Sequence, residues 1–562
     1  NINYKTKSTK KEFINSLTHF LNLDIDIKVK QKYKSIIDNN LNINCIENIN
    51  NIDSQYENNY KIIDNKISIL LNNWKIFNNS RKKYINNVDS ILEKSIYGQK
   101  DAKNEIKRII GQWMNGNMSG YSLGFEGPPG TGKTSLAKKG IANCLFDSDK
   151  KSRPFKFIAL GGSSNGSTFE GHNYTYVGSN HGKIVDILIE TQCMNPIIYI
   201  DELDKISNTE NGKEIIGILT HLTDSTQNDT FTDKYFSGIE FDLSKVLFIF
   251  SYNDFSLIDP ILADRIHRIK FNYLNTKDKI TIIHNYILPE LYQTVGFNNN
   301  KLKFDDEVLE YIITNYTYEG GIRKLKEKIF EIIREINLQL ITNTIDHSNI
   351  EINIDFIKKI FEKKSQIIHT KILNSSRVGF VNGLFATSSG VGGLTVIEAY
   401  KTISDTKLGL TITGQQGDVM KESIQCAKTI VWNLLPDNIK DDINKSLDAN
   451  KFGIHIHCPE ASTKKEGPSA GGAITLCILS LLTNIKVSNL VALTGEIDLN
   501  GSIYAIGGLN LKIEGAKLAG VKKILVPEQN ENDLNIIKKE NKSLLENIEI
   551  IMVNNIWDIL DV

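Results

Sequence analysis

This chain lacks an excess of either charge: 66 lysines and arginines face 66 aspartates and glutamates in 562 residues. No overall field draws it to nucleic acid or to an anionic membrane, so partners must be read from sites. Cysteine is scarce. The six, Cys45, Cys144, Cys193, Cys426, Cys458 and Cys477, stand far apart with no C-x-x-C pair and no metal-ligand spacing, which fits a reducing compartment. Long hydrophobic runs are missing too. The longest, Ala470 to Leu482, falls short of the roughly 20 residues a membrane span needs, and the N-terminus has no basic-then-apolar signal. The expectation is a soluble intracellular protein, cytoplasmic, or in an organelle matrix if a targeting segment preceded Asn1. A start on asparagine in place of methionine reads as an upstream segment removed.

What is present is length, and 40% apolar content to fill it, which suggests about three or four domains. The pattern is that of a multidomain α/β protein. Residues 1–93, rich in Asn, Ile and Lys, read as a helical N-terminal region. From 94 to 271, apolar runs such as FKFIALGG, NPIIYIDE and KVLFIFSYN alternate with helical patterns, as buried parallel strands with crossover helices do. Residues 272–362 are mostly helical, and 363–375 form a linker. From 376 to 562, strands such as GLTVIEAYKT and FGIHIHCPE with helices between them suggest a separate mixed α/β domain.

The stretch GFEGPPGTGKTSLAKK carries chemistry. Gly127, Pro128, Pro129, Gly130, Thr131, Gly132, Lys133 and Thr134 follow a strand and open a helix. This is the context in which backbone N–H groups curl round phosphates, a lysine reaches the β and γ oxygens, and a hydroxyl ligates Mg²⁺. ATP and Mg²⁺ are the expected cofactors. In IIYIDELD, Asp201 and Glu202 end a buried strand. Acids there are usually just solvated, but below a phosphate loop Asp201 suits holding magnesium and Glu202 suits orienting or deprotonating the attacking water. Asn253 ends another apolar strand, and Arg265, Arg268 and Arg323 supply guanidinium groups suited to a transferring phosphoryl group.

These pieces in this order, followed by a helical lid, resemble the AAA+ ATPases. The resemblance implies that Asn253 is sensor 1, that Arg323 in GGIR is sensor 2, and that Arg265 completes a neighbouring subunit's site within a ring. The spacing from Asn253 to Arg265 is one residue longer than typical, which leaves Arg268 as an alternative finger. A ring that pulls on unfolded chain needs grip without sequence preference. Tyr176 and Val177 in GHNYTYVGSNHG pair an aromatic with an aliphatic side chain for that purpose.

In EGPSAGGAITL, Ser469 alone reads as a helix cap, since proline fixes φ and serine accepts from free amides. Downstream, Lys512 shares a helical face with Ala516 and Ala519 at i, i+4 and i+7, a row of small residues suited to close packing. A lysine turned into such a face loses water and favours its neutral amine, which can take a proton from a serine hydroxyl as a Ser-Lys pair. Backbone amides at the helix start suit an oxyanion.

PEASTKKEGPSAGG, LTGEIDLNGSIYAIGGLNLK, GVKKILVPEQNENDL and GDVMKESI resemble the proteolytic domain of Lon proteases, soluble bacterial or organellar branch. EGHNYTYVGSNHGKI, DELDKIS and FDLSKVLFI extend the resemblance back to about residue 90. Behind the helical N-terminal region, it implies an AAA+ parallel-sheet ATPase with a helical lid and a C-terminal mixed α/β Lon-type protease domain. It implies further an ATP-dependent serine endopeptidase acting on unfolded or damaged proteins in a homo-oligomeric ring, a hexamer, with Ser469 as nucleophile, Lys512 as general base, and Thr494 and His457 supporting them. From spacing alone, His457 reads equally well as a core histidine on a strand. Glu466 stands where bacterial relatives usually carry Asp, and the N-terminal region is shorter than the family's. Two alternatives remain open: an ATP-driven unfoldase or chaperone with an inactive protease domain, and a nucleic-acid remodelling ATPase. The neutral charge and absence of a basic stripe count against the latter, so nucleic acid is not indicated.

Overall fold

Apolar runs bounded by turns become two separate sheets in the computed structural model, which describes residues 53–115, 121–146, 151–161, 165–207, 209–297, 302–342, 352–449, 451–459 and 467–561. Residues 1–52 of the expected N-terminal helical region, and Glu466, lie outside these. The described chain forms two units. In the first, helix α1 (Asp53–Ser95) and the part of α2 (Lys100–Asn115) from Lys103 onward are tied by ion pairs. Lys103 meets Glu93 at 2.8 Å and Lys107 meets Asp89 at 2.7 Å. Tyr84 Oη donates to Cys144 O at 2.7 Å.

The second unit holds both of the large sheets. Strands β1 (Ser122–Glu126), β2 (Phe155–Ala159), β3 (Ile197–Asp201), β4 (Leu247–Tyr252) and β5 (His267–Lys270) form a parallel sheet in the order β2-β3-β4-β1-β5. The central β4 is buried at every residue, as a strand covered on both faces must be. All C-terminal ends point one way, and that edge, where Gly127, Asp201 and Asn253 emerge, is where an open parallel sheet takes its ligand. Edge strand β5 escapes sequence reading because His267, Arg268 and Lys270 are exposed and Ile269 is buried. A run so half-solvated carries no apolar signature.

The helical segment beyond it begins at Thr276, capped by the reciprocal Asn275 and Asp278 bonds. Its longest helix, α3 (Arg323–Ile341), buries Leu325, Ile329, Ile332, Ile333, Ile336 and Leu340, a one-sided 3.6-residue repeat.

The second sheet comprises β6 (Phe380–Ala386), β7 (Gly392–Ile403), β8 (Leu410–Thr413), β9 (Phe452–His457), β10 (Val491–Leu493), β11 (Lys523–Pro527) and β12 (Glu549–Val553), in the order β8-β9-β7-β6-β10-β11-β12. It is mixed, with β9 and β6 antiparallel to β7 and the other pairs parallel. Central β6 was not legible because Asn382 and Gly383 interrupt it; the Asn382 amide donates to Asn489 O at 2.9 Å and Val491 O at 2.8 Å, so its burial costs no lost hydrogen bond. One face packs on α4 (Asp418–Leu434) and α5 (Gly471–Thr483) through Met420, Ile424, Ala473, Cys477 and Ile478. The other packs on α6 (Leu509–Ala519) through Leu384, Val396, Ile513 and Ala516. Ser469, in the turn just before α5, and Lys512, on α6, thus belong to elements flanking opposite faces. They converge beyond the end of β10. The multidomain α/β expectation holds.

Removing two branches of a fully buried core side chain in Ile478→Ala should cost about 2–5 kcal/mol and lower the midpoint of thermal unfolding, whereas Ile403→Ala, at a fully exposed position, should leave it within about 0.5 kcal/mol. Calorimetry on the two variants checks the assignment of core and surface.

Candidate functional site

The phosphate loop leaves β1 with the Gly127 N–H donating to Tyr252 O at 3.2 Å. Gly130 and Gly132 take φ of +80° and +99°, left-handed values that a side chain would strain. Lys133 then opens the helix. Its buried amine donates to the Gly127 carbonyl, to Pro128 O at 3.2 Å and to Asn253 Oδ1 at 3.2 Å. Burial pushes it down to about 8, opposed by the charges of Asp201, Asp204 and Glu126. Thr131 Oγ1 donates to Pro128 O at 2.9 Å, and Thr134 Oγ1 donates to Tyr199 Oη at 3.1 Å. Pro129 is met by the lid, where a Cβ on Gly321 would fall 2.1 Å from Pro129 O.

Asp201 ends β3 and accepts the Glu202 N–H at 3.0 Å. Glu202 is held at φ 63° and ψ 41°, a left-handed conformation costing about 1–3 kcal/mol of the kind that gathers at functional sites. Its carboxylate lies over Gly161, where a Cβ would sit 1.9 Å from Oε2. Sequence reading missed Gly161, Tyr199 and Asp204. Asp204 Oδ2 accepts the Asn253 N–H at 3.2 Å, fixing that residue's backbone, while its buried Oδ1 has no partner among the described residues. The signal was a third acid in IDELD, three residues after Asp201.

The arginines are placed differently from one another. Ile322 N–H, next to Arg323, donates to Gly130 O at 3.2 Å, which brings the start of α3 onto the phosphate loop; the Arg323 guanidinium is exposed, 3.9 Å from Glu327. Arg265 pairs with Asp224 at 2.8 Å and donates to Thr220 O at 2.9 Å. Arg268 grips both carboxylate oxygens of Glu126 and lies 4.3 Å above the Phe255 ring. In the loop from Gly171 to Gly182, a turn closed by Tyr176 N–H to Asn173 O at 3.1 Å and Ser179 N–H to Tyr176 O at 3.2 Å leaves Tyr176 67% exposed and Val177 fully so.

In the second domain Ser469 lies in the turn Pro468–Ala470 before α5. The residues at the cap positions are Gly467 and Ala470, neither with a side-chain cap bond, so the helix-cap reading of Ser469 does not hold. Lys512 is buried in α6 and donates to Thr494 Oγ1 at 3.0 Å; Thr494 Oγ1 in turn donates to the Ser469 carbonyl at 3.4 Å, which also accepts the Gly495 N–H at 2.8 Å. Desolvation alone pushes the Lys512 amine down to about 8. The structure thus brings together Ser469, Thr494 and Lys512. His457 ends β9, its Nδ1 2.7 Å from Thr413 Oγ1, which also lies 2.9 Å from His455 Nε2.

Among the described residues no group of three His, Cys, Asp or Glu side chains could hold a metal ion, and no helix is long and apolar enough to cross a membrane. The class is that of a phosphate-loop nucleotide-binding domain with a helical lid, continued in the same chain into a second α/β domain that joins a serine, a threonine and a buried lysine. Residues 123–273 match the ATPase family associated with various cellular activities, 293–350 the Lon protease AAA+ ATPase lid domain, and 352–562 the Lon protease (S16) C-terminal proteolytic domain. A Lon protease homolog of Acanthamoeba polyphaga mimivirus is 34% identical across 100% of this chain and 62% of its own length; Lon proteases of Campylobacter concisus and Clostridium beijerinckii are 37% and 34% identical across 81% and 92% of this chain, and 56% and 62% of theirs. The chain belongs to the Lon protease family. It spans about three-fifths of the length of these relatives.

Thr494→Val should strand the Lys512 amine without its acceptor, at a cost of about 1–3 kcal/mol, while replacing both partners restores an apolar match. The double variant Thr494→Val with Lys512→Met should therefore be more stable than Thr494→Val alone. Denaturant unfolding of Thr494→Val, Lys512→Met and the double variant measures the coupling, and simple additivity would separate the two side chains.

Proposed function

We propose that the protein is an ATP-dependent serine endopeptidase that unfolds, translocates and cleaves proteins, with Ser469 as nucleophile and Lys512 as general base. The observation that carries this reading is a buried amine, depressed to about 8, bonded to the threonine that holds the backbone of Ser469. At pH 7 about a tenth of such an amine is uncharged, against less than about a thousandth of an exposed lysine near 10.4. Lys512 takes the Ser469 hydroxyl proton as the oxygen attacks the peptide carbonyl, and returns it to the leaving amine. Thr494 keeps both groups in register. The amides of Gly471 and Gly472 are committed to Pro468 O and Gly495 O, so the Ser469 and Ala470 amides are assigned to the oxyanion. His457, held by Thr413, is assigned no proton transfer.

In the first domain, the donors fit a hard cation shared with phosphate: the Thr134 hydroxyl and the Asp201 carboxylate, with the unpartnered Asp204 oxygen nearby. When bound, Mg²⁺ neutralises charge on the β and γ oxygens. Lys133 exchanges its carbonyl partners for phosphate oxygens. Glu202 orients or deprotonates the attacking water, Asn253 reaches the γ-phosphate side and Arg323 closes over it from the lid. A homo-oligomeric ring, a hexamer, lets Arg265 or Arg268 leave its present acid and reach a neighbour's site, and turns Tyr176 and Val177 toward the substrate path. Substrates are unfolded or damaged proteins, and the compartment is intracellular, cytoplasm or organelle matrix.

Purified protein with ATP and magnesium should degrade casein, and Ser469→Ala should abolish this while keeping ATP hydrolysis. Degradation surviving Ser469→Ala would refute the nucleophile, and no degradation by wild type would favour an unfoldase with an inert second domain. Lys133→Ala should end degradation of folded proteins yet spare cleavage of short unstructured peptides. Tyr176→Ala should slow protein degradation more than ATP turnover, and equal slowing would remove its gripping role.

A further inference from the structure

Before its terminal Asp201, strand β3 is built of fully buried apolar residues, Ile197, Ile198 and Ile200, with one exception: Tyr199, equally buried, carries a hydroxyl. Its ring has the surroundings that a phenylalanine would take. It packs against Phe155 and stacks on Phe157 of the neighbouring β2, with ring centroids 5.8 and 5.7 Å away. The phenol oxygen is the part that packing does not account for, since a buried hydroxyl costs stability unless it is hydrogen-bonded.

Side chains alternate along a strand, so Tyr199 lies on the face of β3 that carries Asp201. Tyr199 is in register with Ile249 of β4, which puts Ser251, two residues on, on the same face. Ser251 is buried and hydrogen-bonds the Tyr199 hydroxyl. The third member comes from the phosphate loop, where the exposed Thr134 donates from Oγ1 to Tyr199 Oη at 3.1 Å. The direction of that bond matters. A hydroxyl has one proton and two lone pairs, and a cation takes a lone pair. With Thr134 donating to it, the phenol has its own proton left for Ser251, and Asp201, which accepts the Glu202 N–H, is spared the role of acceptor for Thr134.

We propose that Tyr199 is a positioning residue for Thr134: it takes up the threonine's proton and so fixes the hydroxyl with a lone pair presented to the Mg²⁺ that arrives with nucleotide. This rests on the reading above that Thr134 and Asp201 hold that cation. Tyr199 acts through Thr134 and not on the metal itself. Removing the oxygen alone, in Tyr199→Phe, keeps the ring between its aromatic neighbours but leaves the Thr134 proton without its acceptor and the hydroxyl free to turn.

Binding of a fluorescent, non-hydrolysable ATP analogue to the full chain is measured in EDTA and in saturating magnesium, and the ratio of the two dissociation constants is the readout. In wild type magnesium should tighten binding by about fivefold or more. In Tyr199→Phe that ratio should fall by about threefold, the worth of one hydrogen bond. A ratio equal to wild type overturns the proposal, and this includes equal weakening with and without magnesium, the result for a tyrosine that merely packs. In a Thr134→Ala background, adding Tyr199→Phe should move the ratio by less than about twofold; an undiminished loss there places the action of the tyrosine elsewhere and overturns the proposal too. If Tyr199→Phe fails to fold, Ser251→Ala decides, because it frees the phenol proton to turn back on Thr134, and an unchanged ratio there overturns the proposal. Wild type that binds the analogue equally well with and without magnesium refutes the cation reading of Thr134 and Asp201, and the proposal with it.

Discussion

Taking one amine out of water is the constraint on which the second domain depends. Lys512 is buried on a helix whose neighbouring positions, Gly515, Ala516 and Ala519, are small enough to let the backbone of β7 press against it. An ammonium has three donors to satisfy, and the partner the fold gives it is the Thr494 hydroxyl. The environment therefore favours the neutral form, and the same threonine holds the backbone of the serine that would lose its proton. Helices on opposite faces of a sheet have no reason to meet along their lengths. They meet at their ends because Thr494 and Gly495 follow directly on the short interior strand β10 and bind the Ser469 carbonyl from there.

The first domain uses a buried lysine for the opposite purpose. Lys133 and Lys512 are both depressed to about 8 by burial, yet their surroundings differ. Around Lys133 stand the carbonyls of Gly127 and Pro128, the Asn253 side chain and three acids that pull its proton affinity back up; around Lys512 desolvation acts unopposed. On the function proposed above, one site holds a cation for phosphate and the other keeps an amine as a base. A pKa alone does not distinguish the roles, whereas its causes do. The two sites share a further device, backbone approach at glycine, which seats the lid on the phosphate loop at Gly130 and Gly321 and seats β7 on α6 at Gly392 and Gly515.

Much of this was legible in residue order. Buried parallel strands announce themselves as apolar runs, so β1 to β4 and the loop after β1 could be read directly, and α3 showed its helical stripe. What failed was whatever depends on tertiary surroundings. Strand β5 is an edge whose charged side chains face water, and β6 is a central strand interrupted by an asparagine that only the loop at Asn489 satisfies. Ser469 looked like a helix cap because Pro-Ser before an apolar run is the local pattern of one; the additional turn Pro468–Ala470 moves the cap elsewhere. Asp204 was hidden in plain view beside two better-known acids, since burial, not residue type, marks it. Arg265 and Arg268 could be named as candidates but not chosen between, because each has an acid partner within its own chain.

The central claim is that an uncharged Lys512 activates Ser469, and its most direct test is the pH dependence of Ser469 acylation by a small serine-reactive probe. A base acts in its unprotonated form, so the rate should climb about tenfold per pH unit below the Lys512 pKa and level off near 8, and Lys512→Met should remove the reaction. A rate that keeps rising beyond pH 10, as for an ordinary solvated lysine, or one that persists in Lys512→Met, would contradict it.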